Sequence, residues 1–146
     1  MNGGFNGFSY PPIWRAANIQ LYLGSTLVTL DSAKTKQLYI RNNGVVVVQA
    51  VLIVGSGSPS GVAEIRNLPI KPFRMISTAN AGRMIYGYGE WTNQGTNFTD
   101  VRLYCSDAQN GYFHFSQYDT YNDLNITMAA ADADGLAFTL TYPCAP

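Results

Sequence analysis

Gln37-Leu38-Tyr39-Ile40-Arg41-Asn42-Asn43-Gly44-Val45-Val46-Val47-Val48-Gln49-Ala50-Val51-Leu52-Ile53-Val54 decides the fold class. Two runs rich in β-branched and aromatic residues flank Asn43-Gly44, a tight-hairpin dipeptide whose type I′ turn requires positive φ at both central residues. The second run is apolar almost throughout, as in a strand covered on both faces, by the opposite sheet and by a neighbouring subunit or edge. Outward from this hairpin, period-two segments predict strands at Ile19–Leu23, Thr26–Leu30, Val62–Leu68, Met75–Thr78, Ile85–Trp91, Val101–Cys105, Tyr112–Ser116, Asn125–Met128 and Leu136–Tyr142. Gly24-Ser25, the Gly/Ser loop from Gly55 to Gly61, Gln94-Gly95, Asn110-Gly111 and Asp134-Gly135 separate them. Met128-Ala129-Ala130-Ala131 has room for one helical turn, and no segment sustains a helical period. The expectation is an all-β domain over residues 19–146, an antiparallel β-sandwich of jelly-roll type, with Val45–Val54 central.

Residues 1–18 form a separate unit. Gly3, Gly4, Gly7, Pro11 and Pro12 punctuate Phe5, Phe8, Tyr10 and Trp14, which excludes a regular element yet makes the segment too apolar for a solvated linker. An extended N-terminal arm that docks on its own core or on a neighbour is expected, with Arg15 adding a cation beside Trp14.

Charged residues make up only 12% of the 146, against 47% hydrophobic, and nine basic residues balance nine acidic ones. A zero net charge supplies no excess for binding phosphates, so no nucleic-acid partner is expected, and it leaves little repulsion between copies. The balance hides a gradient: up to residue 84 eight basic residues face two acidic ones, and from residue 85 Arg102 alone faces seven. Interleaved strands would mix the halves; otherwise copies could stack head to tail. The first residues lack a basic and an apolar signal region, and the longest apolar run falls short of the roughly 20 residues that span a bilayer, so neither export by a classical signal nor membrane insertion is expected.

Catalytic signatures are sparse. His114, the single histidine, alternates with Phe113 and Phe115 and is expected on the outer face of its strand. The Gly55–Gly61 loop has neither the spacing of a nucleophile elbow nor the lysine of a phosphate loop. Glu64 and Glu90 belong to no recognisable acid/base pair, and Asp132-Ala133-Asp134-Gly135 lacks the later ligands of a calcium loop. Cys105 and Cys144 lack metal spacing and read either as two buried thiols or as one staple. No enzymatic activity, cofactor or metal is expected. The richest candidate for ligand binding is Tyr104, Asp107, Asn110, Tyr112, Tyr118, Asp119 and Tyr121, joined by Trp91, because tyrosine faces beside short amides and carboxylates suit sugars or protein loops.

The run from Tyr39 to Gly57, followed by Ser60-Gly61-Val62-Ala63-Glu64-Ile65-Arg66-Asn67-Leu68-Pro69, resembles the C-terminal β-sandwich of bacteriophage tail and tail-fibre proteins. The shared pattern is a Tyr-x-Arg strand entry running to a glycine, here Tyr39-Ile40-Arg41-Asn42-Asn43-Gly44, a long apolar strand, a Gly/Ser loop and a strand ending in Leu-Pro. Gly87-Tyr88-Gly89 and the closing Leu136-Ala137-Phe138-Thr139-Leu140-Thr141-Tyr142-Pro143 are also similar, so the resemblance spans about residues 36–143. It implies a virion protein, made in the host cytoplasm, usually trimeric, that binds a host-surface glycan or protein and assembles with other virion proteins. It brings no catalytic residues. Because so little chain precedes the domain, a capsid-decoration or head-fibre protein is the alternative.

Overall fold

The computed structural model describes residues 12–76, 84–118 and 122–146. Phe5, Phe8, Tyr10, Asp119, Tyr121 and the end of the Met75–Thr78 segment lie outside the described residues. The strands are β1 (Arg15–Ala16), β2 (Gln20–Leu23), β3 (Thr26–Leu27), β4 (Lys36–Asn42), β5 (Val45–Ile53), β6 (Ser60–Arg66), β7 (Ile85–Asn93), β8 (Asn97–Asp107), β9 (Tyr112–Gln117), β10 (Asn125–Thr127) and β11 (Gly135–Pro143). The only helical turn among the described residues is a 3₁₀ turn at Ala130–Asp132, within a residue or two of the turn expected from Met128-Ala129-Ala130-Ala131. The protein is all-β.

All pairings are antiparallel and run in one continuous order, β1-β4-β5-β11-β7-β8-β9-β6-β2-β3, with β10 alongside β6. The hydrogen bonding thus runs through a single curled antiparallel sheet, in keeping with the expected all-β antiparallel class. Curling is forced by the core. Phe115 on β9 and Phe138 on β11 are three strand spacings apart, roughly 14 Å in a flat sheet, yet their rings meet edge to face at 5.4 Å between centroids. Ile19, Leu21, Leu23, Val46, Val48, Ile65, Leu103, Phe113, Leu136 and Tyr142 fill the enclosed space in one cluster.

The two ends of the strand order, β1 and the β2–β3 hairpin, follow one another in the chain, so the curl is also tied covalently. Gln37 on β4 secures the join: its Oε1 accepts from the Ile19 amide at 2.7 Å, its Nε2 donates to the Ile19 carbonyl at 3.3 Å, and its own carbonyl accepts from Ala17 N. A side-chain amide here replaces a ladder rung that the geometry leaves unmade. On the far side, Tyr142 donates from its hydroxyl to the Ile70 carbonyl at 2.8 Å and so fastens the 67–72 loop to β11.

Local readings fared unevenly. β4 and β5 pair from Lys36–Val51 to Asn42–Val45, and β5 lies inside the sheet between β4 and β11. Within the single chain its apolar run is covered on one face, since Val46, Val48, Ala50 and Leu52 are buried while Val45 and Val51 are exposed. Of the two turn residues only Asn43 has positive φ, at 56°, as in a type II′ turn and not the expected I′. Asn110-Gly111 closes a wider turn, Ala108–Gly111, in which Gly111 alone is left-handed. Met75 and Ile76 form no strand. Arg15 and Ala16, read as part of the arm, pair with Tyr39 and Leu38 and extend the sheet. The charge halves do not alternate strand by strand: β11, β7, β8 and β9 are consecutive in the sheet, with strands of the basic half on either side.

Cys105 and Cys144 are free and buried, which settles the choice in favour of two thiols. Burial pushes the Cys105 thiol from an ordinary 9.0 to about 11. The folded state therefore keeps this proton where the unfolded chain releases it, so its contribution to stability is complete below pH 9 and is lost as pH rises toward 11. The expected slope is at most about 1.4 kcal/mol per pH unit, steepened above pH 10 by Tyr142, whose burial also raises its phenol. Urea midpoints between pH 8 and 10.5 check this. Cys105→Ala should be less stable throughout but show a flatter decline.

Candidate functional site

β2, β6, β9 and β8 bury Leu21, Leu23, Ala63, Ile65, Phe113, Phe115, Val101, Leu103 and Cys105 inward, and alternation sends the residues between them outward. The ladders align four of these into one lateral row: Tyr22 opposite Glu64, Glu64 opposite His114, His114 opposite Tyr104. Folding thus assembles on an outer face a set of polar groups drawn from distant parts of the chain.

Glu64 is the hub. It is only 8% exposed, and its carboxylate accepts from Arg66 Nε at 2.7 Å, from His114 Nε2 at 2.7 Å and from Ser106 Oγ at 3.3 Å. A buried carboxylate that meets a guanidinium on one oxygen and an imidazole and a hydroxyl on the other has both oxygens occupied, so its desolvation is offset locally. On the other side of the imidazole, Tyr104 donates to Asp123 Oδ1 at 2.5 Å while its oxygen lies 3.0 Å from His114 Nδ1. Asp123 reaches this row because the chain after β9 doubles back, with Leu124 N donating to the Phe115 carbonyl.

Arg66 carries the row to the surface. Its guanidinium lies 4.0 Å from the ring centre of Tyr22 and 4.4 Å from that of Tyr112. Partial burial works against its charge, but the hydrogen bond and charge of Glu64 outweigh that and hold it above its ordinary value. The product is a tyrosine–arginine–tyrosine stack held from beneath by Glu64.

The sequence-derived candidates distribute unevenly around this stack. Tyr112 is part of it. Tyr104 is 4% exposed and supports it from below, so it presents no face to a ligand. Asp107 and Asn110 stand next to Tyr112 but are spent on their own turn: Asn110 Nδ2 donates to Asp107 Oδ2 at 2.8 Å, and the Asn110 and Gln109 amides donate to Oδ1 at 3.0 Å each. These bonds hold the Asp107 carboxyl below the usual range, the Asn110 side chain contributing most. Tyr118 lies elsewhere, stacked on Arg102 at 4.1 Å beside Phe98 and Asp100. Trp91 points toward the core and lines a different cleft of about 480 Å³; its indole N–H is buried and meets no acceptor among the described residues. Trp14 and Arg15 are exposed at the sheet edge.

In the sequence Glu64 and His114 stand out only as lacking a catalytic partner, and nothing there joins either of them to Arg66 or Tyr22. Parity alone places Glu64 and Arg66 on one face and His114 on another strand's outer face; only the β6–β9 pairing joins them. Among the described residues, no three His, Cys, Asp or Glu side chains group as a metal ion would require, and no helix is long and apolar enough to cross a membrane. Neither the protein-family models nor the curated proteins compared with the chain give a significant match.

Proposed function

We propose that this chain is a non-enzymatic structural protein of a bacteriophage particle, a tail-associated β module that binds the host surface and assembles with other virion proteins. The observation that carries the reading is the Tyr22–Arg66–Tyr112 stack on the outer face of β2, β6 and β9. Tyrosine faces give large contact area at little entropic cost, and a fixed guanidinium supplies directed donors for glycan hydroxyls or a protein loop. The resemblance of residues 36–143 to tail-fibre sandwiches supports the same reading.

Two measurements on one phage preparation test it. Antibody-gold labelling of intact particles should mark the tail, and purified protein should compete with phage for adsorption. Tyr22→Ala combined with Tyr112→Ala should weaken that competition about tenfold or more, as expected for aromatic hot spots, with an unchanged circular dichroism spectrum. A label confined to the head would overturn the tail assignment and favour a decoration protein. Full competition by the double variant would remove the stack from the binding surface.

A further inference from the structure

The sheet has a second outer face of opposite character, formed by β4, β5, β11, β7 and β8 in that order. Two rows cross it. One reads Lys36, Val51, Ala137, Glu90, Asp100; the next reads Leu38, Gln49, Thr139, Tyr88, Arg102. Leu38 is 44% exposed, Val51 39% and Tyr88 60%, and the small Ala137 between them leaves an open groove of about 670 Å³. This is also where the valine run of β5 stands uncovered. A single outward valine is ordinary, but several strands of contiguous apolar surface mark an interface.

We propose that this face is the contact between two copies of the chain, packed face to face about a two-fold axis that runs along β11. The placement of charge selects a second copy as the occupant. β11 is the middle strand of the five, so a rotation about an axis along it lays each row over itself in reverse strand order. Lys36 of each copy then comes against Asp100 of the other at both ends of the contact, with Glu90 lying over Val51 and Arg102 over Leu38. The Tyr88 ring of each copy meets the Gln49 and Val51 side of the other and fills the groove beside Ala137. Residues on a two-fold axis face their own counterparts, so a charge there would repel itself. The outward positions of β11 that reach the surface are Ala137, Thr139, Thr141 and Pro143, all uncharged. A net charge of zero adds no opposing monopole, and two sheets of the same twist pack in this aligned fashion at about −30°.

The pairing is a property of the purified chain and stands apart from the ligand face, which lies on other strands, so failure of either reading leaves the other intact. Sedimentation equilibrium of the full chain should give twice the chain's mass in the micromolar range. Lys36→Asp and Asp100→Lys should each weaken the dimer about tenfold or more by placing like charges together, and the two combined should restore it. Thr139→Cys should be joined to its counterpart by a short bismaleimide, since the native thiols are buried. Circular dichroism confirms the fold of each variant. A wild-type mass of one or three chains, or a charge-swapped double variant weaker than both single ones, would overturn the proposal.

Discussion

Gly89→Ala should abolish or nearly abolish folding. A Cβ at this position would lie 2.0 Å from the Ala137 carbonyl oxygen, 2.7 Å from Phe138 Cβ and 2.8 Å from Phe138 Cα. These atoms belong to the neighbouring strand, so no side-chain rotation relieves the overlap. β7 would have to leave β11, breaking the Gly89–Phe138 and Tyr88–Thr139 pairs in the middle of the sheet. Gly87 shows the same closeness, with the Thr139 oxygen at 2.5 Å, so the Gly87-Tyr88-Gly89 stretch is where the sheet bends tightly enough for Phe138 to reach Phe115. Overpacking a flexible core site costs about 1–3 kcal/mol. Here the rigid partner raises the expected loss to at least about 4 kcal/mol, a large part of the roughly 5–15 kcal/mol that stabilises a domain. Gly57→Ala is the control: its φ is +70° and nothing lies within 4 Å, so only backbone strain of about 1 kcal/mol should appear. Urea unfolding of the two variants should differ accordingly; equal midpoints would contradict the close approach of β7 to β11.

The second large effect is expected at Glu64. Glu64→Ala removes the acceptor that His114 and Arg66 share, while Arg66, with 31% of its side chain exposed, can still turn to water. The expected loss is that of hydrogen bonds to a charged group, about 1.5–3 kcal/mol. Glu64→Gln keeps the volume and one acceptor oxygen and should lose less, about 1–2 kcal/mol. The attribution is checked by a cycle with His114→Ala: the two losses should fall short of additivity by about 0.5–3 kcal/mol. Strict additivity would mean that Glu64 acts through packing alone. Tyr22 and Tyr112 depend on Arg66, and Arg66 on Glu64, so each Glu64 variant should also weaken whatever ligand binds the stack.

Strand positions were largely legible in the sequence, for a local reason. Alternation of apolar and polar residues encodes which face of a strand is wet, and in Val45–Ile53, Ile85–Asn93 and Gly135–Pro143 the expected and observed bounds differ by at most two residues. Parity likewise put His114 outside and Phe113 and Phe115 inside. Turn type was less legible, because Asn43-Gly44 and Asn110-Gly111 are each compatible with several loop geometries and the flanking strand register chooses among them. Tyr104 and Trp91 misled for a related reason: an aromatic side chain suits a binding face and a supporting position equally well.

The sequence by itself determined that this chain forms an antiparallel all-β domain and which residues of each strand turn inward, because both follow from local periodicity. The order of the strands was settled only by the tertiary structure, since pairing β6 with β9, or β11 with both β5 and β7, depends on long-range closure and on glycines that let one strand press against the next. The candidate site follows from that order. Glu64, His114, Tyr104 and Asp123 are unremarkable in separate segments, and they become one network because the register sets the first three side by side while the chain returning after β9 carries Asp123 to them.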